Sequence, residues 1–160
     1  MKSLSYCEPP TRARLWALGR VHDDAVSAMK PPERLRGIAV LLVDDNTDSR
    51  EVFSRYLAHF GAQVVDVPDP AAALALLQRT RFDVIVSDLS MPGMNGIDFL
   101  TAVRRLPAER ERPTPAIAYT AYDTYRDAAL RAGFAAYLIK PIDPSTFVDE
   151  VARLARHAGP

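Results

Sequence analysis

Apolar and polar positions along the chain change their pattern near residue 37. Before it, Leu15, Leu18, Val21, Ala25 and Met29 recur at helical spacing between Pro9-Pro10 and Pro31-Pro32, with Thr11 placed to cap the segment. Residues 1–36 are therefore expected to be an N-terminal extension, either a short amphipathic helix or a partly disordered arm, closed by a stiff proline spacer. From Gly37 onward, short apolar runs alternate with segments of helical period. Strands are expected over Ile38–Val43, Gln63–Val67, Phe82–Ser87, Ala116–Tyr119 and Ala135–Ile139, and short apolar runs rich in β-branched residues suit strands buried on both faces. A first helix should start at Asn46 or Thr47, run to Phe60 with Val52, Phe53, Tyr56, Leu57 and Phe60 on its inner stripe, and stop at Gly61. Further helices are expected from Asp69-Pro70 to Arg79, over Ile97–Leu106, over Asp123–Ala132 before Gly133, and over Pro144–His157. Five β–α units in succession argue for one α/β domain over residues 37–158, a parallel sheet with helices on both faces.

Composition narrows the function classes. The chain has 160 residues, enough for one domain and a modest extension. Its formal net charge is zero, so neither nucleic acid nor an anionic membrane surface is an expected partner. Cys7 is the sole cysteine, which excludes an internal disulfide and a cysteine-built zinc site and fits a cytoplasmic location. The apolar runs are too short to span a bilayer, and no secretory signal follows Lys2. His22, His59 and His157 share no ligand spacing, and the Glu109–Arg112 run reads as a solvated loop. Lysine occurs only at positions 2, 30 and 140, so Lys140 is unusual in an arginine-rich domain.

In a doubly wound parallel sheet, ligands bind outside the carboxyl ends of the strands. Asp44 and Asp45 follow the first expected strand, Asp88 the third, Thr120 the fourth and Lys140 the fifth. Singly, each has an ordinary explanation: a polar turn, a helix cap, a solvated ammonium. Jointly they put three carboxylates, a hydroxyl and one ammonium on one rim. Crowded carboxylates call for a cation, and an oxygen-only donor set favours Mg²⁺. One of the carboxylates can then act as a nucleophile toward phosphorus, with Lys140 and Thr120 stabilising the transferring group.

At these positions VLLVDDN, DVIVSDLSMPGMNG, YTA and YLIKP resemble the signatures of response-regulator receiver domains of bacterial two-component signalling, from about Arg36 to Ala158. The resemblance implies a flavodoxin-like fold with strand order 2-1-3-4-5. It implies that Asp88 accepts a phosphoryl group from a sensor histidine kinase or a histidine phosphotransfer protein. Asp44, Asp45, Asp88 and the backbone carbonyl of Ser90 would hold Mg²⁺, with Lys140 pairing first with Asp88 and then with the phosphoryl group. Thr120 would swing to the phosphoryl group, and Tyr137 would rotate inward behind it. Ala121 would leave the room needed. The helix before the fifth strand, that strand and the last helix would then signal to a downstream protein; homodimerisation is left open. The chain ends soon after the last helix, so no output domain is expected to follow. Such a domain is not an enzyme beyond its own phosphorylation and dephosphorylation. The rivals are an interaction module on the same fold that ignores phosphorylation, and an aspartyl phosphatase, whose second acid is replaced here by Ser90. Tyr119, Tyr122 and Tyr125 suit either a partner surface or plain packing.

Overall fold

A computed structural model describes residues 33–157. The expected stripe through Leu15–Met29 and the Pro31-Pro32 spacer lie outside the described residues. The elements run β1 Ala39–Val43, α1 Thr47–His59, β2 Gln63–Val67, α2 Pro70–Leu77, β3 Val84–Ser87, α3 Gly96–Val103, α4 Pro107–Glu111, β4 Ala116–Thr120, α5 Arg126–Ala132, β5 Ala136–Ile139 and α6 Pro144–His157. All strand pairings are parallel, in the order β2-β1-β3-β4-β5. This is the flavodoxin-like doubly wound sheet expected from the sequence.

Alternation within the strands sends side chains to two cores. Leu41, Val43, Ile85, Ala116 and Ala118 join Phe99, Leu100 and Val103 of α3, with Ala73, Leu77 and Ala129 from α2 and α5. Val40, Leu42, Val84, Val86, Ile117 and Tyr119 join Leu57 of α1 and Phe147, Val148 and Val151 of α6 on the other face. Leu35 is fully buried in this second layer, and its N–H donates to Phe60 O at 2.9 Å.

Local chemistry starts and stops the helices much as expected. Asn46 caps α1 by accepting from Ser49 N, and Gly61 takes the left-handed φ of 93° that ends the turn. Asp69 caps α2 with Pro70 at its first position. Two expectations are corrected. Val52 is 61% exposed, because the inner stripe of α1 centres on Phe53, Leu57 and Phe60 and turns Val52 to its flank. The Glu109–Arg112 run is no solvated loop either. Pro107 opens the short α4, and the buried Glu109 carboxylate accepts from Arg104 Nη1 (2.8 Å), Thr114 N (2.8 Å) and Thr114 Oγ1 (2.6 Å). Arg104 also donates to Thr114 O at 2.7 Å, and burial lowers its guanidinium below the usual value while Glu109 opposes the shift. The cluster ties the end of α3 to the start of β4.

Candidate functional site at the C-terminal rim

Strand register assembles the site. Val43 pairs with Ser87 across β1 and β3, and Asp88 N donates to Val43 O at 2.9 Å, which sets Asp88 beside the residues leaving β1. On the other side Lys140 N donates to Thr120 O at 2.8 Å. Asp44, Asp45 and Asp88 each offer an oxygen within 4.8 Å of the others. Their settings differ: Asp44 is buried, Asp45 exposed and Asp88 in between.

The rim is strongly directional. Asp44 Oδ1 accepts from Asn46 N at 2.8 Å, and its Oδ2 accepts from Ser49 Oγ and Lys140 Nζ, both at 2.7 Å. Asp88 Oδ1 accepts from Leu89 N at 2.6 Å and Ser90 N at 3.2 Å, while its Oδ2 lies 3.5 Å from Lys140 Nζ. The ammonium therefore rests on Asp44, with Asp88 as its second carboxylate neighbour. It also sits 4.9 Å above the Tyr119 ring. Burial, reinforced by Asp44, pushes the Tyr119 hydroxyl up to about 12.

Thr120 is fully buried, and its Oγ1 accepts from Tyr122 N at 3.4 Å. Tyr137 is buried too, and its hydroxyl donates to Tyr122 O in a short bond beneath the Arg126 guanidinium. Burial is the main cause that raises the Tyr137 hydroxyl above its ordinary value. Thr120 and Tyr137 thus meet through the backbone of Tyr122. Of the aromatic trio, Tyr119 is core, whereas Tyr122 and Tyr125 are exposed and stack edge to face at 6.4 Å. Ser90, whose N–H reaches Asp88, and Ala121, which follows Thr120, are both exposed.

Two residues of this region escaped the sequence reading. Ser49 lies in the first turn of α1; a hydroxyl three residues past a cap that itself follows an acidic pair was the available signal. Gly96 opens α3, and a Cβ there would meet Asp88 O at 2.3 Å and Leu89 Cα at 2.9 Å. Gly96→Ala is accordingly expected to displace the loop after β3. Stability in a urea titration should fall by about 1–3 kcal/mol, with the amide signals of residues 88–90 shifting in the same protein.

The fold and the rim together define an open α/β domain with an acidic site at its topological switch point. The chain belongs to the response regulator receiver domain family, whose model matches residues 40–152. It is 42% identical over 114 residues to an uncharacterized 14.6 kDa protein in the sodA1 3' region of Leptolyngbya boryana, covering 70% of this chain and 86% of that protein. It is 39% identical over 118 residues to the response regulator protein FleR of Pseudomonas aeruginosa, covering 72% of this chain and 24% of FleR. The other relatives include sensor histidine kinases, and this chain spans only 13% of GacS of Pseudomonas protegens. Among solved structures, the receiver domain of sensor histidine kinase PA1611 from Pseudomonas aeruginosa aligns with a TM-score of 0.69 at 30% identity, covering 75% of this chain and 98% of that one; it carries a magnesium ion in its active site cleft. The chain is thus a receiver domain of the two-component and phosphorelay kind, a signalling domain. Among the described residues no helix is long and apolar enough to cross a membrane.

Proposed function

We propose that residues 37–158 act as a phosphorylation switch in which Asp88 accepts a phosphoryl group from the phosphohistidine of a sensor histidine kinase or phosphotransfer protein. The observation that carries this reading is the charge imbalance of the rim: three carboxylates converge with a single ammonium resting among them. Such a cluster is costly unless a divalent cation shares it, and its oxygen donors fit Mg²⁺. Asp44, Asp45, Asp88 and the Ser90 carbonyl are the groups to hold that ion, and the magnesium ion in the active site cleft of the PA1611 receiver supports the choice of metal. Held by these groups, Mg²⁺ would supply positive charge to offset that of the acids and of the phosphoryl oxygens.

The chain's own residues do the rest. Two backbone amides hold Asp88 Oδ1, so Oδ2, on the Lys140 side, is the attacking oxygen. It forms the new O–P bond while the P–N bond to the donor imidazole breaks. The electron pair stays on that nitrogen, which takes up a proton from solvent. Lys140 leaves Asp44 for one phosphoryl oxygen, and the Thr120 hydroxyl turns to another past the small Ala121. That turn releases Tyr122 N, whose residue also holds Tyr137, and so biases the surface formed by α5, β5 and α6 between two states. Output then passes to a protein partner on that surface, where Leu130 of α5 is exposed and Tyr122 and Tyr125 are exposed in the segment leading into that helix.

Acetyl phosphate or beryllofluoride with Mg²⁺ is expected to shift the amide signals of residues 88–90 and 120–122, and EDTA should return them to their starting positions. Spectra indifferent to both reagents would overturn the reading in favour of an interaction module that ignores phosphorylation.

A further inference from the structure

Ser49 packs against the acidic rim but has no task in the reading above. Asp44 is only 2% exposed, and its carboxylate is served by three donors. Oδ1 takes one bond, from Asn46 N, while Oδ2 takes two, from Ser49 Oγ and Lys140 Nζ, each at 2.7 Å. Lys140 Nζ also donates a long hydrogen bond to Ser49 Oγ at 3.4 Å, so the hydroxyl touches both the carboxylate and the ammonium, and the ammonium has Asp88 Oδ2 at 3.5 Å. The position of Ser49 is itself held, because its N–H donates to the Asn46 side chain at the cap of α1.

We propose that Ser49 is a positioning residue that frees Lys140 to move. With the Ser49 hydroxyl on Oδ2, Asp44 keeps a donor on each carboxylate oxygen when the ammonium turns from it toward a phosphoryl group on Asp88. Without that hydroxyl, the departure of Lys140 strips a buried carboxylate oxygen of its charge-assisted partner, and leaving such an acceptor unmet is unfavourable. Ser49 thus stands in for the lysine during the switch. The inference rests on the phosphoacceptor reading of Asp88.

The test follows the Lys140 side chain directly. Lysine occurs at only three positions, 2, 30 and 140, so a lysine-labelled protein gives few side-chain NMR signals, and Lys140→Arg assigns the one of interest. In the wild type that signal should move when beryllofluoride is added in the presence of Mg²⁺. In Ser49→Ala, half-saturation of the same movement should need about 10-fold more beryllofluoride, the consequence of one lost hydrogen bond to a charged group. Affinity for Mg²⁺ alone, read by calorimetry, should fall by a much smaller factor, because Lys140 still meets Asp44 Oδ2 in that state. Alanine suits the first turn of a helix, so this variant is expected to fold. Ser49→Cys, close in shape but a weaker donor, should fall between the two. Wild-type beryllofluoride affinity in both variants, or equal loss of Mg²⁺ affinity, overturns the role of Ser49 alone. A wild-type Lys140 signal that ignores beryllofluoride overturns the phosphoacceptor reading beneath it.

Discussion

Asp88→Asn is expected to reduce phosphoryl incorporation from acetyl phosphate or a phosphorylated donor to background. The substitution keeps the shape of the side chain and an oxygen for the Leu89 and Ser90 amides, so the loop after β3 should remain in place. What it removes is the anionic oxygen that attacks phosphorus, and neither neighbouring acid is placed to substitute for it. Asp44 Oδ2 is occupied by Ser49 and Lys140, and Asp45 is exposed at the outer side of the cluster. The same change relieves repulsion among three carboxylates whose oxygens lie within 4.8 Å of one another. Without Mg²⁺, the variant should therefore melt at or above the wild-type temperature while binding the ion more weakly. Phosphate remaining on the variant at wild-type levels, measured by intact-protein mass, would remove Asp88 from the chemistry.

Phe147→Ala carries the largest expected cost in stability. Phe147 of α6 is fully buried, with the Phe53 ring at 5.2 Å and the Tyr119 ring at 5.1 Å between centroids. Truncation removes the keystone of that aromatic cluster and leaves a cavity under the sheet, worth about 3–5 kcal/mol. A domain of this size has only about 5–15 kcal/mol in total, so the variant should be close to unfolding at body temperature. The urea midpoint should fall with an unchanged slope. Because the Lys140 ammonium lies over the Tyr119 ring, whatever folded protein remains should also show a broadened Lys140 signal. A midpoint within experimental error of wild type would mean that the second core layer is not organised around Phe147.

The strands were legible because their signal is local. Ile38–Val43 and the Val84-Ile85-Val86 stretch of the expected Phe82–Ser87 strand are apolar on both faces and rich in β-branched residues, the pattern of a strand covered from both sides. The caps at Asn46 and Asp69 were legible for the same reason, since each bonds to an amide three residues away. Val52 was misjudged because apolar character does not say which side of a stripe faces inward. The pairing of Glu109 was missed because its partners, Arg104 and Thr114, each lie five residues off and meet it only once α3, α4 and β4 are stacked.

The same division runs through the site. Residue order alone placed Asp44, Asp45, Asp88, Thr120 and Lys140 at strand ends, because alternating β and α segments in a parallel sheet bring every strand end to one rim. Which atom touches which was decided only by tertiary structure. That Lys140 rests on Asp44 with Asp88 as its second carboxylate, that Ser49 shares the same oxygen, and that Gly96 must lack a side chain all depend on contacts across distant segments of chain. Periodicity carries direction along the backbone, whereas ångström-scale distances between side chains arise only when separate elements pack against a common core.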